Sequence, residues 1–317
     1  MSVAAAQEGL VSSRQCHDHG LTDQQVARLV GRKVWARVAR GVFDAGLTGP
    51  SMLDPYDRRR RRTAILAILA QPGSVATGVC ALVLHGVRGA PVEIAGEVTF
   101  PDGSPRRSAK PVEVRRLPLG RWENVDGMDC ATVEDALAQA VPRLDRRHAV
   151  ALMDSARNQR KVSEGGFRRA EMAARGRRGA RRAARWWRES DSRAESPAET
   201  WARLSCNDLG CPPDVLQLKV VDVRGTFLAR VDLAWFLPEG GVLLVEIDGK
   251  DVHSRLEALY SDRSRQNRLV GAKTKLLRFT GSDAWAGVVG RHVRAVLDRE
   301  GWAAGVAPAT SIHTLAT

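Results

Sequence analysis

Apolar positions recur along this chain with two periods, and the shifts between them divide it into segments. Near the start, Val26, Leu29 and Val30 fall on one stripe of a helix predicted over about Thr22 to Gly31. Thr22 with Gln25, and Ser12 with Gln15, are capping-box pairs, so two helices begin there, with Gly20 in the turn between them. The period then drops to two in Lys33-Val34-Trp35-Ala36-Arg37-Val38, a strand that turns at Arg40-Gly41 into Val42-Phe43. Helix, turn, helix and β-wing together predict a small winged helix over residues 1–50.

The middle region, 51–190, is helical with a few strands. Thr63 to Ala70 is a buried helix stopped by Pro72-Gly73, and Thr77 to Leu84 a second helix stopped by His85-Gly86. Strands are predicted at Glu97–Phe100 and Val112–Leu117. Thr132 with Asp135 caps a helix to Val141, and Leu144 to Asn158 forms another. Ser190 to Ala194 reads as a linker. Beyond it the order is helix (Pro197–Asn207), three strands (Leu216–Val221, Phe227–Phe236, Val242–Asp248), helix (Leu256–Val270), strand (Lys275–Phe279) and helix (Asp283–Arg299). This predicts a mixed sheet flanked by helices over 194–300, with a flexible tail over 301–317. The fold class is α+β or α/β, multidomain.

Composition sharpens the list of partners. The 317 residues carry a net charge of +13, which calls for an anionic partner. Between Arg157 and Arg188 lie twelve Arg or Lys and two acids, Glu164 and Glu171, so this stretch alone contributes +10. It is either a solvated arginine-rich helical face or a nucleic-acid arm, with Arg181, Arg182 and Arg185 as contacts and Trp186 and Trp187 packed or stacked on bases. On the winged helix, Gln24, Gln25 and Arg28 occupy the exposed side of the second helix, where Gln suits adenine edges and Arg suits guanine edges or phosphates. Lys33, Arg37 and Arg40 are the wing's candidates for backbone contact, unless the wing meets a protein instead. Five scattered cysteines complete no zinc pattern and read as thiols in a reducing cytoplasm. His85 and His148 are lone histidines with structural roles. No apolar run approaches a membrane span, and no secretory leader is visible.

The chemistry concentrates where the apolar run Val242 to Val245 ends in Glu246 and Asp248. Unpaired charge is costly to bury, so a core strand ending in two carboxylates needs a reason. Residues two apart on a strand share a face, and Asp232 on a neighbouring strand can complete an oxygen cluster suited to Mg²⁺ or Mn²⁺. Asp232 and Glu246 are the expected primary ligands. Asp248 is a third ligand or orients the attacking water. Glu199, one turn into its helix, either reaches the metal through water or serves the helix dipole. His253 is a candidate acid/base, and Arg265, with Gln266 or Asn267, a candidate contact to the scissile phosphate. The competing reading satisfies Asp232, as a strand-end residue, with a backbone N–H, and pairs Glu246 and Asp248 with Arg230, Arg265 or Arg278 as scaffolding.

Ser196-Pro197-Ala198-Glu199, Asp232, Glu246-Ile247-Asp248-Gly249, His253, Asp262 to Asn267 and Leu277 to Thr280 follow one another in an order that resembles the PD-(D/E)XK nuclease superfamily. The likeness is to its very-short-patch-repair-like branch, domain of unknown function 559, and spans about Glu195 to Arg299. It implies a restriction-endonuclease-like fold and metal-dependent cleavage of DNA. The superfamily's lysine would stand where this chain has Asp248; Lys250 shares that face if the strand continues past Gly249. Arg37-Val38-Ala39-Arg40-Gly41-Val42-Phe43 resembles the N-terminal domain of AbiEi antitoxins, and the helix pair after it resembles their middle region. That likeness implies a DNA-reading regulator with a cognate toxin as partner. Two functions therefore stand against each other: a Mg²⁺-dependent DNA endonuclease or nickase, and a non-catalytic regulator of a type IV toxin–antitoxin system.

Overall fold

The computed structural model describes residues 2–47, 49, 53–103, 106, 110–248, 273–305 and 312–314. The chain divides into two compact units, Met1–Glu189 and Ser190–Thr317.

The first unit opens with α1 (Ser2–Ala6), β1 (Leu10–Ser12), α2 (Ser13–Asp18), α3 (Asp23–Gly31), β2 (Ala36–Ala39) and β3 (Val42–Asp44). Both capping boxes form, with Gln15 and Gln25 reaching back to the backbone N–H of Ser12 and Thr22. The three strands make an antiparallel sheet in the order β1-β3-β2. Val11, Cys16, Val26 and Phe43 are its core, with Val30 and Trp35 packed at the rim. The strand expected from Lys33 starts only at Ala36, because Lys33 adopts φ 58° in the turn that ends α3.

This small sheet is joined to the next helix by ion pairs. In α4 (Pro55–Ala70), Arg58 pairs with Glu8 at 3.1 Å and Arg62 with Asp44 at 2.7 Å. The arginine run at the start of α4 thus anchors the N-terminal segment within one unit. Then follow β4 (Val75–Ala76), α5 (Gly78–Leu84), β5 (Gly96–Thr99), β6 (Val112–Arg115), β7 (Trp122–Val125), β8 (Met128–Ala131), α6 (Val133–Ala140), a 3-10 turn (Val141–Arg143) and α7 (Arg146–Asn158). The sheet runs β6-β5-β4-β8-β7. Strands β4, β7 and β8 carry no apolar run long enough to predict them. His85 and His148 are structural, as expected: the first meets the Ala131 carbonyl at 2.9 Å and the second Asp145 at 2.6 Å.

The basic stretch is not one arm. It breaks into α8 (Glu164–Ala174), α9 (Ala180–Ala183) and α10 (Trp186–Glu189). Trp186 and Trp187 are buried, Trp187 edge-on to Phe167 at 5.1 Å, so neither is exposed to stack on a base. The pull toward burial of two indoles outweighs the pull of the surrounding charge toward water.

The second unit contains α11 (Pro197–Asp208), β9 (Val215–Val221), β10 (Phe227–Phe236), β11 (Val242–Asp248), β12 (Thr274–Thr280), α12 (Gly281–Trp285), α13 (Val288–Arg299) and β13 (Ile312–Thr314). Its mixed sheet runs β12-β11-β10-β9-β13, with β11 and β12 parallel and the β9-β10-β11 meander antiparallel. Ala202, Cys206, Leu233, Trp235, Val245, Val289, Val293 and Leu297 form the core between this sheet and its helices. Within 301–317, Trp302 donates to Asp214 at 3.1 Å and Ile312–Thr314 pair with β9 as β13. All five cysteines are buried thiols.

Candidate functional site

The antiparallel pairing of β10 with β11 runs from Phe236↔Val242 to Leu233↔Val245. The next step along both strands would set Asp232 opposite Glu246. There the Asp232 carboxylate accepts a 2.8 Å hydrogen bond from the Ile247 backbone N–H. A side chain thus takes the place of a ladder carbonyl, and the two strands fork around it. On its other edge β11 continues beside β12 to Asp248↔Thr280.

The third strand deviates at the same level. Val231↔Leu218 and Leu233↔Leu216 are in register, which sets Gln217 opposite Asp232. Gln217 has φ 57°, a left-handed conformation rare for a non-glycine residue inside a strand. Neighbouring apolar residues change faces across it: Leu218 and Val220 lie in one core cluster and Leu216 in the other. β10 does likewise across Asp232, between Val231 and Leu233. Such strain persists only where surrounding structure holds it, and it clusters at functional sites.

Glu199 arrives from α11. Ser196 caps the helix by accepting from the Glu199 N–H, and Pro197 occupies the first turn. The Glu199 carboxylate accepts from the Glu195 N–H at 2.9 Å and from Gln217 Nε2 at 2.8 Å, while the same Nε2 lies 3.4 Å from Asp232. Gln217 therefore bridges two carboxylates. Burial pushes the Glu199 carboxyl up to about 7, and the nearby Asp232 charge adds to the rise. Desolvation and like charge outweigh the hydrogen bonds from Glu195 and Ser196, which act to lower it. Asp232 is also raised, by burial first and by Glu246 next, against the Ile247 hydrogen bond.

Glu246 is buried and held by Arg278, whose Nε and a terminal nitrogen sit 2.9 and 2.8 Å from one carboxylate oxygen. This pairing, one of the scaffolding alternatives, is real for Glu246. Arg230 instead pairs with Glu195 at 2.5 Å. Asp248 is half-buried at the end of β11, on the same side of the strand as Glu246. His253 and Arg265, with Lys250, Asp262, Gln266 and Asn267, lie outside the described residues.

The fork thus brings together Asp232, Glu199 and Glu246, the last with its arginine. The donor set is hard oxygen, and two of its carboxyls are held above their ordinary range by burial and then by neighbouring carboxylates, which fits a divalent cation. Among the described residues no group of three acidic, histidine or cysteine side chains is already disposed around one point. Gln217 separates Glu199 from Asp232, and Arg278 occupies Glu246, so a cation must displace one of these. Sequence reasoning missed Gln217; the available signal was one amide in the otherwise apolar run Val215 to Val221. Models of known protein families give no match to this chain, and neither do curated proteins.

On the first unit, Gln24 and Arg28 are exposed on α3, as are Lys33 and Arg37 beyond it and Arg40 in the β2–β3 turn. Gln25 is exposed too, but its side-chain oxygen is occupied by Thr22, at 2.8 Å from the N–H, so it caps the helix rather than standing free to read a base. Arg37 lies over the Phe43 ring. Of the basic stretch, Arg157 and Arg169 are used internally by Glu164 and Glu134. Arg181 and Arg185 are exposed. Arg182 donates to the Leu144 carbonyl at 2.9 Å and lies over Trp186. No helix among the described residues is long and apolar enough to cross a membrane.

Proposed function

We propose that this chain is a divalent-metal-dependent nuclease acting on DNA, with an N-terminal winged helix that delivers it to its target. The observation that carries the reading is the meeting of Glu199 and Asp232, both above their ordinary range, at a fork in the sheet beside Glu246. The order of helix, three antiparallel strands and a parallel fourth supports the restriction-endonuclease-like assignment. The order α1-β1-α2-α3-β2-β3 supports the winged helix.

Asp232 and Glu199 would hold the Mg²⁺ or Mn²⁺, with Glu246 joining once released from Arg278. When bound, the cation supplies charge neutralisation at the phosphate and a more acidic water. Glu199, with a carboxyl near 7, exchanges a proton in the neutral range. Gln217 positions the two carboxylates, and Ile247 fixes the Asp232 side chain through its N–H. Arg278 holds the buried Glu246 carboxylate within the sheet through two of its nitrogens.

The test is cleavage of supercoiled plasmid with Mg²⁺ or Mn²⁺. Nicked or linear product is expected, with loss of at least a hundredfold in Asp232→Asn and Glu246→Gln. Cleavage that survives both substitutions removes these residues from the reaction. A second reading, a non-catalytic cytoplasmic DNA-binding regulator with a toxin partner, is favoured by Arg278 holding Glu246 and by Asp248 at the lysine position. It predicts a metal-independent band shift and no cleavage with any divalent ion.

A further inference from the structure

A second concave site lies in the first unit, away from every carboxylate of the fork in sequence. A cleft of about 770 Å³ opens between the β5–β6 edge, the Val141–Arg143 turn and the loop from α8 to α9. Five arginines line it: Arg115, Arg143, Arg177, Arg178 and Arg182, with Glu97 as the acid among them. Arg143 pairs with Glu97 at 2.5 Å, and Arg115 lies 3.6 Å from Glu113. Five guanidiniums against these two carboxylates leave three positive charges in surplus.

Like charges are expensive to gather, so five arginines around one cavity need compensation. Three of them are fixed on purpose-built supports. Arg143 is held by buried Glu97, Arg182 by the Leu144 carbonyl and the Trp186 ring, and Arg177 by the Ala173 carbonyl. Arg178 is exposed and has no carboxylate partner among the described residues. Gly179 locks this wall in place: with φ 92°, a Cβ there would meet the Pro142 carbonyl oxygen at 2.0 Å. Only glycine lets the Arg177-Arg178 loop sit this close to the turn that carries Arg143.

We propose that this cleft binds a phosphorylated small molecule of nucleotide size through a di- or triphosphate group. Planar guanidiniums held in place match phosphate oxygens with little loss of side-chain freedom. The volume falls in the range of small-ligand pockets, ~300–1,000 Å³. A surplus of three charges balances a polyphosphate. A duplex presents a convex line of single phosphates, which suits the exposed Arg181 and Arg185 better than a cavity. The proposal does not depend on the nuclease reading.

The experiment is calorimetric titration of the full chain, at fixed ionic strength, with pyrophosphate, ATP, sulfate and a 12-nucleotide single strand. Pyrophosphate is expected to bind at least tenfold more tightly than sulfate. Arg178→Ala should weaken it about tenfold and Arg178→Glu should abolish it, with melting curves unchanged because the side chain is exposed. Asp232→Asn should bind as the wild type does. Equal affinity for ATP assigns recognition to the phosphates alone, and tenfold tighter ATP adds the nucleoside; either supports the cleft as a polyphosphate site. The proposal falls if pyrophosphate and ATP bind no better than sulfate. It falls equally if both Arg178 variants bind as the wild type does, or if only the oligonucleotide binds.

Discussion

Glu199 ties the chemistry of the fork to a measurable proton. Its carboxyl stands at about 7, above the usual carboxylate value, so the folded state binds that proton more tightly than the unfolded state does. In metal-free protein the resulting stabilisation is complete below the ordinary carboxylate pKa and is lost as pH rises through about 7. Converted at 1.36 kcal/mol per pH unit, it is on the order of 3 kcal/mol. Denaturant melts in EDTA from pH 4.5 to 8 check this as the difference between wild type and Glu199→Gln. The variant should show the flatter profile across that window. Asp232→Asn should move the Glu199 carboxyl back down, because the neighbouring charge is the second cause of its rise; a carbon-13 titration of the glutamate carboxyls reads this directly. If Glu199 titrates in the ordinary range in wild type, the fork is not short of positive charge and the case for a cation weakens. At this scale Asp232 and Glu246 were legible, because an acid within or at the end of an apolar run stands out. Gln217 was not, since its importance lies in a backbone twist that no side-chain pattern encodes.

Elements hold these residues in place, and one close approach between helices governs the site's support. Gly290 of α13 meets Ser205 of α11 so tightly that an added Cβ would lie 2.4 Å from the Ser205 carbonyl oxygen. α11 also carries Glu199. Gly290→Ala is therefore expected to destabilise the fold by about 1–3 kcal/mol and to disturb the Glu199–Gln217 bridge. A lower thermal midpoint with a weaker metal response would show it; an unchanged midpoint would mean the helices part easily. Helix starts were well encoded, since the capping pairs at Ser12, Thr22 and Thr132 are local. The short strand β4 was not, because its two residues gain their ladder partners only from distant segments. The pairings within the basic stretch were not legible for a related reason: composition describes charge but not which arginines are consumed by Glu134, Glu164 or a carbonyl.

For the whole molecule, if the chain binds DNA as proposed, the net charge of +13 predicts that affinity falls steeply with salt. Each phosphate contact contributes about 0.9 to the slope of log affinity against log salt concentration. Lys33→Ala, Arg181→Ala and Arg185→Ala should each reduce that slope by about 1 while weakening all sequences alike. Arg28→Ala should instead relax preference among sequences. Slopes unchanged in all three charge variants would move the DNA surface elsewhere on the chain.

What the amino-acid order determined by itself was local: where helices begin, which strand is fully buried, and that a carboxylate cluster and a cationic surplus both demand partners. These follow from capping, periodicity and the cost of burying charge, all of which act over a few residues. Tertiary structure decided the pairings. It placed Gln217 between Glu199 and Asp232, gave Glu246 to Arg278, took Trp186 and Trp187 into the core, and gathered arginines from β6, the Val141–Arg143 turn, the α8–α9 loop and α9 around one cleft. Such outcomes depend on which distant groups reach each other first and best, and a linear pattern does not contain those distances.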